Sequence, residues 1–253
     1  TQYTLLSLFF NIMICVLVYF ILRFNNLNKF AAAISSLSVL YIVSGTNIPG
    51  IWVLIPLTLG ILCMLLTIMF ISINKPDMVL FCCFLSLLFY PPLFFINMAM
   101  ILFYFIYADL KMKQKLKFVL MFFGVVLLVA VILSLFVLWT KESFSSFFVY
   151  LASRIFYKNF IVGETIQLPI ILIVPAIVLI LSAIGFFRLF AKKFWGLIAS
   201  ILVCLTYWLI FYFVYSFIQF RFIIGYARIV FTSSILIVIV SGFGIDYLFE
   251  SID

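Results

Sequence analysis

Of the 253 residues, 69% are hydrophobic and 9% charged, the mean hydropathy is +1.45 and the net charge is +8. An average soluble domain is about 45–50% apolar and about 25% charged, so charges this sparse cannot cover a water-facing surface. That excludes a soluble globule, and clustering of Lys and Arg between apolar runs makes the positive charge a sign of membrane orientation, with no nucleic-acid partner expected.

In chain order, apolar length and breaks at charges, Pro and Gly predict helices over about 4–22, 29–44 and 50–73. Residues 51–73 and 118–139 contain no charge, and each matches the roughly 20 residues that cross a hydrocarbon core of about 30 Å. The run 78–108 is too long for one crossing and is interrupted by Pro91-Pro92, which predicts two short helices, 78–90 and 93–108. Further helices are expected over 117–139, 168–187, 194–217 and 228–249. The short alternating segments of a β-barrel are absent. Open strands leave backbone groups unpaired in lipid. The expected fold is all-α: a polytopic transmembrane helical bundle of about nine membrane segments, forming one domain over residues 1–253.

The loops give an independent test. With the first helix ending in the cytoplasm, the inner loops carry Arg23, Lys29, Lys75, Lys111, Lys113, Lys115, Lys117, Arg188, Lys192 and Lys193. The outer segments carry only Lys141, Arg154, Lys158, Arg221 and Arg228, as the positive-inside rule requires. This holds only if 78–90 and 93–108 form a hairpin. The expectation is an integral membrane protein, of a prokaryotic plasma membrane, with its N-terminus outside and its C-terminus cytoplasmic. The start at Thr1, without an initiator Met or a signal-peptide pattern, reads as a fragment of a longer chain whose remainder is a partner.

The long outer stretch 141–167 is expected to be an external loop. Phe144, Phe148, Leu151 and Ile155 recur at helical spacing, which predicts an interfacial helix in its first part. Arg154 and Lys158, four residues apart on it, are placed to meet lipid phosphates at the membrane interface.

The chain has no His, which removes the commonest general base and metal ligand. Its five cysteines lie inside apolar segments without metal-like spacing and read as small buried side chains. Attention falls on the outer charges. Arg221 and Arg228 lie seven residues apart, and guanidinium forks suit phosphate or pyrophosphate. The plainer reading is that each snorkels to headgroups. Glu164, beside Gly163 and ahead of a helix, suits a divalent metal, a proton, or only the helix dipole. Asp109, Asp246, Glu250 and Asp253 read as ordinary flanking charges. Asn11, Asn97 and Thr232-Ser233-Ser234 are expected to make interhelical hydrogen bonds, and Gly242 and Gly244 to allow close packing.

Four stretches then carry a family resemblance. FRFIIGYARIVFTSSILIVIVSGFGIDYL resembles the closing segment of GT-C class polytopic glycosyltransferases, with an arginine at the outer end of a late helix and a small-residue span ending in Gly-x-Gly. The stretch 47–70 and the Pro-broken helices 78–108 also resemble that class. The loop ending IVGETIQ is similar to the external loop of oligosaccharyltransferase catalytic subunits. The resemblance implies sugar transfer from a polyprenyl-phosphate-linked donor on the extracytoplasmic face. Arg221, with Arg228, would lie near the lipid-linked phosphate, and Glu164 would serve as catalytic or metal-binding carboxylate for Mg or Mn. It also implies a principal catalytic aspartate upstream of Thr1. The rival readings are a transporter or flippase of lipid-linked substrates, which calls for an internal repeat and a midplane cavity, and a noncatalytic membrane scaffold.

Overall fold

The computed structural model describes residues 2–42, 56–107, 112–140, 145–146, 156–157, 174–218, 221–222 and 226–252. The described residues are all-helical apart from one two-residue ladder.

Helix α1 (Gln2–Phe24) ends at an Asn-rich turn in which Asn26 takes a left-handed φ of 62°, a conformation asparagine tolerates better than most residues. Asn28 then caps α2 (Lys29–Ser38), its side chain accepting the Phe30 N–H at 2.9 Å. The helix expected over 29–44 is shorter. It closes in a 3-10 turn at Val39–Tyr41, and the hydroxyls of Ser36 and Ser38 bond back to carbonyls of their own helix. Such back-bonding competes with the helical ladder.

Helix α3 (Pro56–Ser72) leads through Asn74 (φ 54°) to α4 (Pro76–Phe89), which starts on a proline whose missing N–H costs nothing there. Tyr90 is non-helical and α5 (Pro91–Tyr107) begins at the next residue, because a proline disfavours helical conformation in the residue before it. The Tyr104 hydroxyl near the end of α5 donates to Asn74 Oδ1 just before α4, so the two helices form the hairpin the charge bias demanded.

Helix α6 (Met112–Thr140) is tied to α4 by an exposed ion pair, Lys117 to Asp77 at 2.7 Å. Two-residue strands β1 (Phe156–Tyr157) and β2 (Arg221–Phe222) flank α7 (Ala176–Ala191) and α8 (Trp195–Ile218) in the chain. Helix α7 ends four residues beyond the expected 187, and residues 168–173 lie outside the described set. The 27-residue α9 (Tyr226–Ile252) closes the fold.

Helix α9 is the axis of the bundle. It packs on α7, α2 and α8, and every side chain from Ile229 to Asp246 is buried. Its tightest seam is with α7. A Cβ on Gly244 would stand 2.0 Å from the Leu181 carbonyl oxygen, and one on Gly185 would stand 2.0 Å from that of Val240. The close packing expected of Gly244 is therefore present, with Gly185 as its unforeseen partner. Gly242 serves the other side of α9, where a Cβ would come within 2.8 Å of Leu22. Small residues let backbones touch, which is how helices associate where lipid removes the hydrophobic drive between them.

The expected interhelical hydrogen bonds fare differently. Thr232 and Ser234 donate to the Arg228 and Val230 carbonyls of their own helix. Ser35 on α2 does reach across, donating to the Val238 carbonyl at 2.6 Å. The amides of Asn11 and Asn97 are buried without a hydrogen-bond partner among the described residues.

The outward faces are apolar. Leu127 on α6 is 69% exposed and Phe187 on α7 is 77% exposed, with Phe123, Ile177 and Ile180 alongside them. Among the described residues, one helix, Arg228–Ser251, is long and apolar enough to cross a membrane.

Candidate functional site

The sequence places its candidate site at the end of the bundle where α9 begins, and the backbone there joins two distant stretches. Strand β1, from the expected outer loop 141–167, pairs antiparallel with β2, matching Phe156 to Phe222 and Tyr157 to Arg221. The loop is thereby stitched to the segment that leads into α9. Sequence reading missed this ladder. Its signal is the aromatic and branched character of RIFYKNF and QFRFII, which favours pleated backbone.

Arg228, one turn into α9, is the best-defined functional candidate. Its guanidinium Nη1 donates to the Tyr90 hydroxyl at 2.9 Å and lies 5.7 Å from the centre of the same ring. Tyr90 occupies the α4–α5 break, so the Pro-Pro sequence that ends α4 also presents the phenol to α9. The arginine is thus oriented by one neutral partner and keeps its charge and further N–H donors. Tyr90 was not foreseen, although a tyrosine at a proline-enforced helix break is a recognisable signal. Tyr90→Phe removes the acceptor and keeps the ring. It is expected to cost about 1 kcal/mol, read as a small fall in the thermal midpoint of the purified protein.

Arg221 is described only through its backbone in β2. Glu164, Arg154, Lys158 and the interfacial helix expected before them lie outside the described residues. Among the described residues no three Asp, Glu, His or Cys side chains gather as a metal's ligand set. Glu164 alone offers two of the roughly six oxygens that a hard divalent cation takes. The Mg or Mn expected at Glu164 therefore falls outside the described residues.

At the opposite end the structure revises the reading of Asp246 and Glu250 as idle flanking charges. The Asp246 carboxylate is buried, with only 3% of its side chain exposed, and its Oδ1 accepts the Asn28 backbone N–H at 2.7 Å. Its Oδ2 lies 3.6 Å from Arg188 on α7 and 3.7 Å from Lys192, which caps the C-terminus of that helix. Arg188 also pairs with Glu250 and stacks over Tyr247, while Lys192 lies over Phe243. Two complementary pairs at i, i+4 spacing therefore face each other, Arg188 with Lys192 and Asp246 with Glu250. That spacing was the available signal; it was passed over because helix-end charges are commonplace. The cluster is a clamp that fixes α2, α7 and α9 to one another.

Comparison with protein-family models, with curated proteins and with solved structures gives no match for this chain.

Proposed function

We propose that the chain is the membrane portion of a GT-C-type glycosyltransferase that moves a sugar from a polyprenyl-phosphate-linked donor on the extracytoplasmic face. The observation that carries this reading is the β1–β2 pairing, which draws the loop bearing Arg154, Lys158 and Glu164 to the segment bearing Arg221. Arg228 at the same end, aligned by Tyr90, adds a cation suited to phosphate. A scaffold whose charges merely met headgroups would have no need to gather them. The bundle is read as about nine membrane segments in the plasma membrane, with the N-terminus outside. The apolar outward faces and the meeting of the basic loops at one end support that reading.

In the reaction, a nucleophilic atom of the acceptor attacks the anomeric carbon. The bond from that carbon to the phosphate oxygen breaks, and the polyprenyl phosphate departs with the electron pair. The acceptor's proton passes to a carboxylate, with Glu164 the candidate in this chain. Arg221 and Arg228 stabilise the charge that grows on the leaving phosphate, as fixed donors do when aimed at developing charge.

Arg221→Ala, Arg228→Ala and Glu164→Ala in the intact protein test this. Each arginine variant is expected to lose about 10²–10³-fold in transfer rate, with weaker retention of the donor. Wild-type transfer and donor binding in all three would overturn the site.

A further inference from the structure

A polar cavity lies at the other end of the bundle. The turns after α1, between α3 and α4 and between α7 and α8 meet there around a cavity of about 290 Å³. Asn25, Ser72, Asn74, Tyr104, Lys193 and Trp195 line it. Asn74 Oδ1 is occupied by the Tyr104 hydroxyl, which leaves its Nδ2 as a donor without a partner among the described residues. Lys193, held at a left-handed φ of 56° between α7 and α8, has no carboxylate partner among the described residues, unlike Lys192 beside it. The N-terminus of the 24-residue α8 opens onto the same space at Gly196. An ammonium, an amide donor and a helix N-terminus together favour an anion.

This polar cavity continues into an apolar one. Phe103 lines both it and a groove of about 330 Å³ between α5 and α8, whose other walls include Ala199, Leu202, Val203, Thr206 and Ile210. These positions recur every three or four residues along one face of α8. From Trp195 to Ile210 the helix rises roughly 22 Å, more than the depth of one leaflet, about 15 Å, or half the hydrocarbon core. A charged cup with aromatic rims at the membrane surface, opening onto an apolar track that runs inward, has the dimensions and polarity of a phospholipid.

We propose that this composite cleft binds an anionic glycerophospholipid of the inner leaflet, its phosphate at Lys193, Asn74 and the α8 N-terminus and one acyl chain along the α5–α8 groove. The proposal rests on the membrane placement but not on the transfer reaction, and its test reads lipid retention without any activity.

The intact protein in neutral detergent is titrated with phosphatidylglycerol, phosphatidylcholine and water-soluble glycerol 3-phosphate, and bound molecules are counted by native mass spectrometry. Phosphatidylglycerol is expected to bind one to one, and phosphatidylcholine more weakly. Glycerol 3-phosphate is expected not to bind detectably, because it lacks the chain. Lys193→Gln should weaken phosphatidylglycerol about fivefold, the effect of roughly 1 kcal/mol for one lysine at an anionic surface. Thr206→Trp, at an exposed groove position, should weaken both lipids by blocking the track, and Leu202→Trp does the same should the first variant misfold. Equal retention by all variants would reduce the cleft to ordinary annular contact and overturn the proposal. Binding of glycerol 3-phosphate as tight as that of the lipid would also overturn it, by making the cavity a soluble-anion site.

Discussion

Gly244→Ala is expected to unseat α9 and lower stability by about 3 kcal/mol or more, at the upper end of what overpacking costs. The new Cβ would lie 2.0 Å from the Leu181 carbonyl oxygen, which belongs to a backbone and has no rotamer to escape into. Only separation of α7 from α9 relieves the overlap, and that separation would also pull Arg188 from the Asp246 carboxylate. In detergent the thermal midpoint should fall by roughly 6–12 °C, followed by fluorescence-detected size exclusion after heating. Gly185→Ala should behave alike, since its Cβ would meet the Val240 oxygen at the same distance. Gly124 on α6 supplies the control. No atom lies within 4 Å of a Cβ placed there, so Gly124→Ala should be neutral or stabilising by up to about 1 kcal/mol through helix propensity. Equal midpoints for the Gly244 and Gly124 variants would refute the seam.

Asp246→Ala should be the second severe loss. Removing one partner from a buried ion pair costs about 3–5 kcal/mol, because the remaining charge stays desolvated and unpaired. Here Lys192 and the Asn28 N–H would lose their acidic partner together, and Arg188, only 16% exposed, would keep Glu250 alone. Asp246→Asn keeps the acceptor for the Asn28 N–H and surrenders only the charge, so it should retain more stability than the alanine variant. Combining Asp246→Leu with Arg188→Met should recover part of the loss. If the double variant is instead the sum of the two single losses, the residues are not coupled.

The helical elements were legible because apolar length and the Pro91-Pro92 break are properties of single stretches. The hairpin of α4 and α5 followed from the distribution of lysines before any contact was known. The shortness of α2 was not legible, since Ser36 and Ser38 are compatible with a longer apolar run until their hydroxyls turn to their own helix. Of the candidate site, Arg228 stands out in the sequence as a charge suited to phosphate, but its partner Tyr90 does not, because 138 residues separate them and no local pattern links them. Asp246 was misjudged for a related reason. A carboxylate near a helix end is exposed by default, and only the Gly185–Gly244 seam, which draws α7 against α9, buries it.

The bond from Asp246 to the amide of Asn28 has a bearing on how the protein is made. It spans 218 positions, and the bond from Ser35 to Val238 spans 203. Helix α2 is therefore synthesised long before the helix that completes its N-terminus and accepts its buried hydroxyl has left the ribosome. Until then α2, α7 and α8 lack the helix that each packs against, and the Asn28 N–H and the Ser35 hydroxyl lack their acceptors. The core of the bundle is consequently completed late, when α9 comes to lie against α2, α7 and α8.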